Sequence, residues 1–274
     1  MSELEQIVRR ALAEDVGGGD VTTEAIVPPG AQGLGRIVAR EAGVIAGLPA
    51  ARATWRALSP KVTLRARVRD GDAVERGDVV AEVRGPLRAV LTGERVALNF
   101  LQRLSGIATL TRAYVERAKP AKILDTRKTT AGLRALEKAA VRAGGGMNHR
   151  FALDELILIK DNHVAAAGSI TEAVARARRT HPRRRLEVEV RTPAEVREAV
   201  GLRPGIIMLD NMPPARLRTA VAVVRRASPR TVIEASGDMT LARVGRVAAT
   251  GVDWISVGAL THSAPALDVA LELV

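Results

Sequence analysis

Four basic residues (Arg127, Lys128, Arg150 and Lys160) and two acids (Glu189 and Asp210) suit the chemistry of an anionic, hydroxyl-bearing ligand, as do two small-residue loops, Ser236-Gly237-Asp238 and Val257-Gly258-Ala259. Guanidinium and ammonium groups hold carboxylates and phosphates through charge-assisted hydrogen bonds. The two acids can accept from sugar hydroxyls or hold magnesium. Loops of this kind bind phosphate through backbone N–H groups when they follow the last strands of an α/β barrel. His149 and His163 add donors, and the glycines after Ala143 let backbone approach a ligand closely. The chain has only six lysines, so Lys128 and Lys160 mark places where a compact ammonium serves better than a planar fork. The set describes a site for a phosphorylated sugar beside a second, strongly anionic molecule.

The elements needed to bring these residues together are legible. Short apolar runs recur in "AKILDTRK", "ELILIKDNH", "RLEVEVR", "GIIMLDN", "TVIEASGD" and "WISVGAL", each closing in polar or small residues. Between them lie stretches of helical period such as "AGLRALEKAAVRA" and "ITEAVARARRT". Ser169 with Glu172, and Thr192-Pro193 with Glu195, read as helix starts. Strand–helix alternation implies parallel strands joined by right-handed crossovers, as a barrel or a doubly wound sheet. In either, ligands bind outside the carboxyl ends of the strands, where these residues fall. The first hundred residues differ: they are β-rich, with hairpin signals at Asp70-Gly71 and Gly77-Asp78. A long helix is predicted from about Glu94 to Ala118, and the domain boundary is expected within it, giving domains 1–105 and 106–274.

Composition excludes several classes. There is no cysteine, hence no disulfide, thiolate metal site or cysteine nucleophile. No apolar run is long enough for a membrane span, and the acid-bearing N-terminus lacks a secretory core, so a cytoplasmic protein is expected. The net charge of +12 would suit nucleic acid, but aromatics are only 2%, leaving almost nothing for unstacked bases to stack on. No nucleic-acid partner is expected.

"ERVALNFLQRLSGIAT", "DTRKTTAGLR", "EKAAVRAGGGMNHR", "LIKDNHVAAAGSI", "LEVEV", "IIMLDN", "EASGDM" and "GVDWISVGALTHS" together resemble the quinolinate phosphoribosyltransferase family, in order and spacing. The opening "EDVGGGDVTT" extends the likeness over nearly the whole chain. The resemblance implies an incomplete parallel α/β barrel preceded by a β-rich α+β sandwich domain. It also implies a homodimer with shared active sites, and a reaction of quinolinate with 5-phosphoribosyl 1-pyrophosphate in the presence of Mg2+. Arg127, His149, Arg150 and Lys160 would then hold the quinolinate carboxylates and pyrophosphate. Lys128 and Thr129 would contact the same substrates, and Arg95 would enter from the partner. Glu189 and Asp210 would hold the ribose hydroxyls and magnesium, and the loops Ser236–Asp238 and Val257–Ala259 the 5′-phosphate. Lys128, Lys160, Glu189 and Asp210 would be the catalytic set. At Thr130-Ala131 the chain departs from a leucine-proline pair of the family pattern, which implies altered packing there. Three other readings stay open: a same-fold transferase with a different acceptor, a Schiff-base aldolase using Lys128 or Lys160, and a basic nucleic-acid-binding module.

Overall fold

The computed structural model describes all 274 residues. Helix α1 (Glu3–Val16) starts at a reciprocal capping box between Ser2 and Glu5, and α2 (Val21–Ile26) is capped by Asp20. Strands β1 (Gln32–Ala39) and β2 (Gly43–Val44), helix α3 (Leu48–Leu58), and strands β3 (Thr63–Ala66), β4 (Ala73–Val74) and β5 (Val79–Pro86) follow. Then α4 runs unbroken from Leu87 to Ala118. It begins two turns before the expected Glu94, because the chain passes from β5 at Pro86 straight into the helix without a loop to mark the start.

All six apolar runs are strands: β6 (Lys122–Leu124), then β7 (Ile157–Ile159), β8 (Leu186–Val190), β9 (Ile206–Asp210), β10 (Val232–Ser236) and β11 (Trp254–Ser256). They pair in parallel in the order β6-β11-β10-β9-β8-β7. Helix α5 (Arg134–Ala143) follows β6, and α6 (Asp161–Ala167) with α7 (Ile170–Thr180) follows β7. Helices α8 (Pro193–Leu202), α9 (Pro214–Ala227), α10 (Leu241–Ala248) and α11 (Ala259–His262) each succeed a strand. After α5, the short segment at Met147 bridges in parallel to Leu124, in the place of a further strand. Met147 gives its N–H to Ile123 and takes the N–H of Asp125. The sheet closes no further, since β7 pairs only with β8, and the result is an incomplete α/β barrel. Ser169 caps α7 through the N–H of Glu172, and Thr192 and Glu195 form a reciprocal box at α8.

The last strand, β12 (Val269–Leu273), belongs to another sheet, of order β12-β1-β5-β3, with all neighbours antiparallel. Its core gathers Ile37, Trp55, Val83, Leu98, Leu101 and Val269 among others. Neither expected hairpin forms. Tight turns do occur at Gly71 and Gly77, both with positive φ. However, β4 pairs with β2, and β5 skips back to pair with β3. Contacts within the chain define two units, the first Met1–Arg112 with Thr129–Gly145 and Thr261–Val274, the second Ala113–Lys128 with Gly146–Leu260. These units interleave along the chain, because α4 runs on through residue 105 and β12 returns to the first sheet.

Candidate active site

The barrel unit carries two charged groups. The first is built on β8 and β9. Glu189 and Asp210 lie at the carboxyl ends of these neighbouring strands, with Glu189 buried and Asp210 partly so. Lys160 stands directly after β7, at the cap of α6, with its Nζ 3.3 Å from Glu189 Oε2. Arg191, which the sequence reading passed over, spans three acids. Its Nη1 is 2.9 Å from Asp161, its Nη2 3.1 Å from Glu189 and its Nε 3.2 Å from Asp210. Loss of hydration opposes its charge, but Asp161, Glu189 and Asp210 outweigh this and raise the Arg191 pKa further. The backbone N–H of Asn162, followed by the nearby Arg191, holds the Asp161 carboxyl below its ordinary range. The His163 Nδ1 accepts the Lys160 N–H at 2.9 Å and caps the helix, which leaves Nε2–H as the donor this ring can offer.

The second group surrounds the Met147 segment. Asp125, fully buried one residue after β6, accepts the His149 N–H at 2.8 Å and the Asn148 side-chain amide at 2.6 Å. This pins a glycine-led stretch that has little sheet pairing of its own. The His149 ring points inward, with Nε2 3.1 Å from Glu187 and 3.5 Å from Glu234, both fully buried. Neither approach has the direction of a good hydrogen bond. Glu234 is held by Ser256 at 2.5 Å. Burial lowers the imidazole pKa, but Glu187 and Glu234 outweigh it and bring the value to about 10. Burial, then the charge of Glu234, raises the Glu187 carboxyl. The Arg150 N–H donates to His149 Nδ1 at 2.8 Å, which requires that nitrogen to be bare. The two facts agree if the retained proton belongs to the three groups together, shared into the carboxyl pair, with the ring as the Nε2–H tautomer. His149, Glu187 and Glu234 offer donors within 4.8 Å of one another, as a metal site would. With hydrogen on Nε2, however, that nitrogen has no lone pair to give, and the lone pair of Nδ1 already accepts the Arg150 N–H.

Above this network the Arg150 guanidinium donates to the Leu156 carbonyl at 2.9 Å. Burial, and then the neighbouring charge of Arg127, lowers the Arg150 pKa. Arg127 is half-buried, and its Nε has no hydrogen-bond partner. Lys128 is exposed, its N–H held by the Thr126 hydroxyl at 3.0 Å. Ser236 ends β10, and Gly237 and Asp238 follow with positive φ. At Gly237, where φ is +92°, a Cβ would run into the Asn211 side-chain amide, so the turn calls for glycine. Arg243 steadies the loop through the carbonyls of Asp238 and Met212. Val257 is tied to Leu124 by its N–H at 2.9 Å, and Ala259 opens α11 after Gly258. In the other unit, Arg95 is exposed on α4, and Thr129 accepts from Arg134 at 3.0 Å. The barrel unit therefore assembles most of the expected residues, but Arg95 and Thr129 group elsewhere.

Residues 20–105 match the family model described as quinolinate phosphoribosyl transferase, N-terminal domain, and residues 107–272 match that of its C-terminal domain. The chain belongs to the quinolinate phosphoribosyltransferase family. A Synechocystis protein named probable nicotinate-nucleotide pyrophosphorylase (carboxylating) is 48% identical over 268 residues, covering 96% of this chain and 90% of that one. The Mycobacterium leprae protein named nicotinate-nucleotide pyrophosphorylase (carboxylating) is 45% identical over 273 residues, covering 97% and 95%. The crystal structure of NadC from Streptococcus pyogenes superposes with a TM-score of 0.95 at 42% identity, covering 99% and 96%. Where this member of the quinolinate phosphoribosyltransferase family carries Thr130-Ala131, Thr130 gives its N–H and hydroxyl to Glu137 at 3.0 and 2.8 Å. Glu137 is fully buried and paired with Arg103 at 2.8 Å, so the loop after β6 is clipped by polar bonds.

Proposed function

We infer that this protein transfers the phosphoribosyl group of 5-phosphoribosyl 1-pyrophosphate to quinolinate with loss of carbon dioxide, giving nicotinate mononucleotide and pyrophosphate. The observation that carries the reading is the neighbouring pair Arg127 and Arg150, with the buried Arg127 Nε left without a partner. Two close guanidiniums repel, and a buried unpaired donor is costly, so the pair calls for a dense anion. A pyridine dicarboxylate supplies one, and family membership supports quinolinate in particular.

Lys160 serves as a compact charge between the two anionic substrates, and Lys128 contacts the same anions. Breaking the bond from ribose to pyrophosphate leaves positive charge on the sugar, which Glu189 and Asp210 stabilise while accepting from its hydroxyls. The cations steady the departing pyrophosphate, and the loops Ser236–Asp238 and Val257–Ala259 hold the 5′-phosphate. After the ring nitrogen is ribosylated, the adjacent carboxylate leaves as carbon dioxide, and its bonding electrons remain beside the cationic nitrogen until a proton arrives. The protein has mainly to position this intermediate. Glu189 and Asp210 suit Mg2+, because both already converge on one cationic group and offer hard oxygen donors that phosphate oxygens would complete. When bound, the ion would neutralise the leaving pyrophosphate.

The working form is a homodimer in which Arg95 enters the partner's site. This is supported by the exposure of Arg95 on α4, where its side chain pairs with no acid of its own chain. Incubation with quinolinate, 5-phosphoribosyl 1-pyrophosphate and magnesium should yield mononucleotide and carbon dioxide in equal amounts. Nicotinic acid lacks one carboxylate and leaves a buried cation unpaired, at a cost of roughly 2–5 kcal/mol, so it should react very poorly. Comparable kcat/KM for the two acids would rule out the proposed pocket.

A further inference from the structure

Arg191 follows Glu189 by two residues, so both project from the same side of β8 and its short extension. Its guanidinium is the common partner of acids from three separate elements: Asp161 at the start of α6, Glu189 on β8 and Asp210 on β9. Lys160 holds the remaining Glu189 oxygen. Three carboxylates against two cations leave the cluster one charge short of neutral. The Arg191 backbone is fixed, since its N–H donates to Glu195 of the α8 capping box at 2.6 Å. The side chain is 49% exposed, so it can swing into solvent without opening a cavity. The group spanning Glu189 and Asp210 thus has room to leave, on a stationary stem.

We propose that Arg191 is the resident counter-ion of the Glu189–Asp210 cation site, and that it holds divalent metal out until a pyrophosphate group draws the guanidinium away. The proposal rests on the phosphoribosyl pyrophosphate reading above. A hydrated Mg2+ gives up water reluctantly and would have to displace a guanidinium from both carboxylates. Alone, that exchange strands Arg191. With pyrophosphate present, the guanidinium gains a bidentate anionic partner and the metal gains phosphate oxygens, so every charge stays paired. Metal and pyrophosphate then bind with positive coupling, each favouring the other.

Mn2+ serves as the probe, with no turnover required: electron paramagnetic resonance reads free Mn2+, and protein-bound metal is the loss beyond that in matched protein-free samples with and without pyrophosphate. Wild type should bind Mn2+ weakly alone and about tenfold or more tightly once inorganic pyrophosphate is added. Arg191→Gln should bind Mn2+ alone about tenfold more tightly than wild type, because a competing unit charge a few ångströms away has gone. Pyrophosphate should then add little further. Arg191→Lys, which keeps the charge without the fork, should fall between the two. Arg197→Gln, which removes an exposed charge from α8, should match wild type. If Arg191→Gln keeps the wild-type melting temperature and the wild-type Mn2+ affinity, or if Arg197→Gln tightens Mn2+ equally, the proposal is overturned. If Arg191→Gln tightens Mn2+ but neither protein binds pyrophosphate or 5-phosphoribosyl 1-pyrophosphate, the counter-ion assignment stands and the substrate reading fails.

Discussion

Replacing Asp125 tests whether the residues around His149 are held by one buried carboxylate. The side chain is fully buried and accepts from the His149 N–H at 2.8 Å and from the Asn148 amide at 2.6 Å. A hydrogen bond to a charged acceptor contributes about 1.5–3 kcal/mol. Asp125→Ala removes at least these two and strands their donors, so the loss should be roughly 3–5 kcal/mol or more, a large share of the ~5–15 kcal/mol that holds a typical domain. Asp125→Asn can keep the bond from His149 but sets one amide NH2 against another, for a loss of about 2 kcal/mol. Exchanging the partners in Asp125→Asn with Asn148→Asp restores a donor facing an acceptor and should recover most of that loss. Urea titration of the four proteins, at unchanged slope, reads these differences directly. The Arg150 N–H depends on the His149 ring, so kcat/KM for quinolinate should fall in Asp125→Asn and return in the exchanged pair. An Asp125→Ala protein within about 0.5 kcal/mol of wild type would refute the reasoning, since so small a change is typical of surface positions.

Lys160→Met should abolish turnover and leave the melting temperature nearly unchanged, because the partly exposed pair with Glu189 contributes little to stability; near-normal activity would make Lys160 structural. The His149 cluster predicts a pH dependence of stability. Its folded value of about 10 lies above the ordinary 6.5, so the contribution is complete below pH 6.5 and is lost as pH rises towards 10. The slope should approach ~1.4 kcal/mol per pH unit between those limits, and denaturant midpoints at pH 7, 8 and 9 should show it vanish in Glu187→Gln/Glu234→Gln. Arg95→Ala and Lys160→Ala homodimers should each be nearly inactive. Unfolded together in equal amounts and refolded, they should recover roughly a quarter of the sites, and a mixture that stays dead would place Arg95 in its own subunit.

The barrel strands were legible because they are largely buried and read as short, mostly apolar runs with a polar end, although β8 and β10 carry the buried acids Glu187, Glu189 and Glu234 within them. The strand position at Met147 was not. Glycines precede it, a single bridge replaces a ladder, and Asp125 rather than apolar burial secures it. Glu187 carried a signal that was available. It alternates with Glu189 in "LEVEV", so a strand that aims Glu189 inward must aim Glu187 inward as well. Arg191 obeys the same period. Glu234 had no such marker, because its partners lie on β11 and in the Met147 segment, far apart in sequence. The hairpins failed for a related reason: turn chemistry fixes a reversal of the chain, but β5 finds its partners by burial, and these were β1 and β3.

The position of β12 against β1 reverses the order in which the chain can be finished. Asp268 and Glu41, joined by a 2.8 Å hydrogen bond beside that pairing, are 227 residues apart. On a ribosome adding roughly 5–20 residues per second, β1 waits on the order of 10–50 s for its outer neighbour. For that time it is an open edge, able to pair with any passing strand. The barrel strands all emerge within the interval, so the part of the sequence made first becomes the sheet completed last. A nascent chain stalled short of Val269 would therefore carry every barrel strand and still expose the flank of β1 to chaperones or to its neighbours on a polysome.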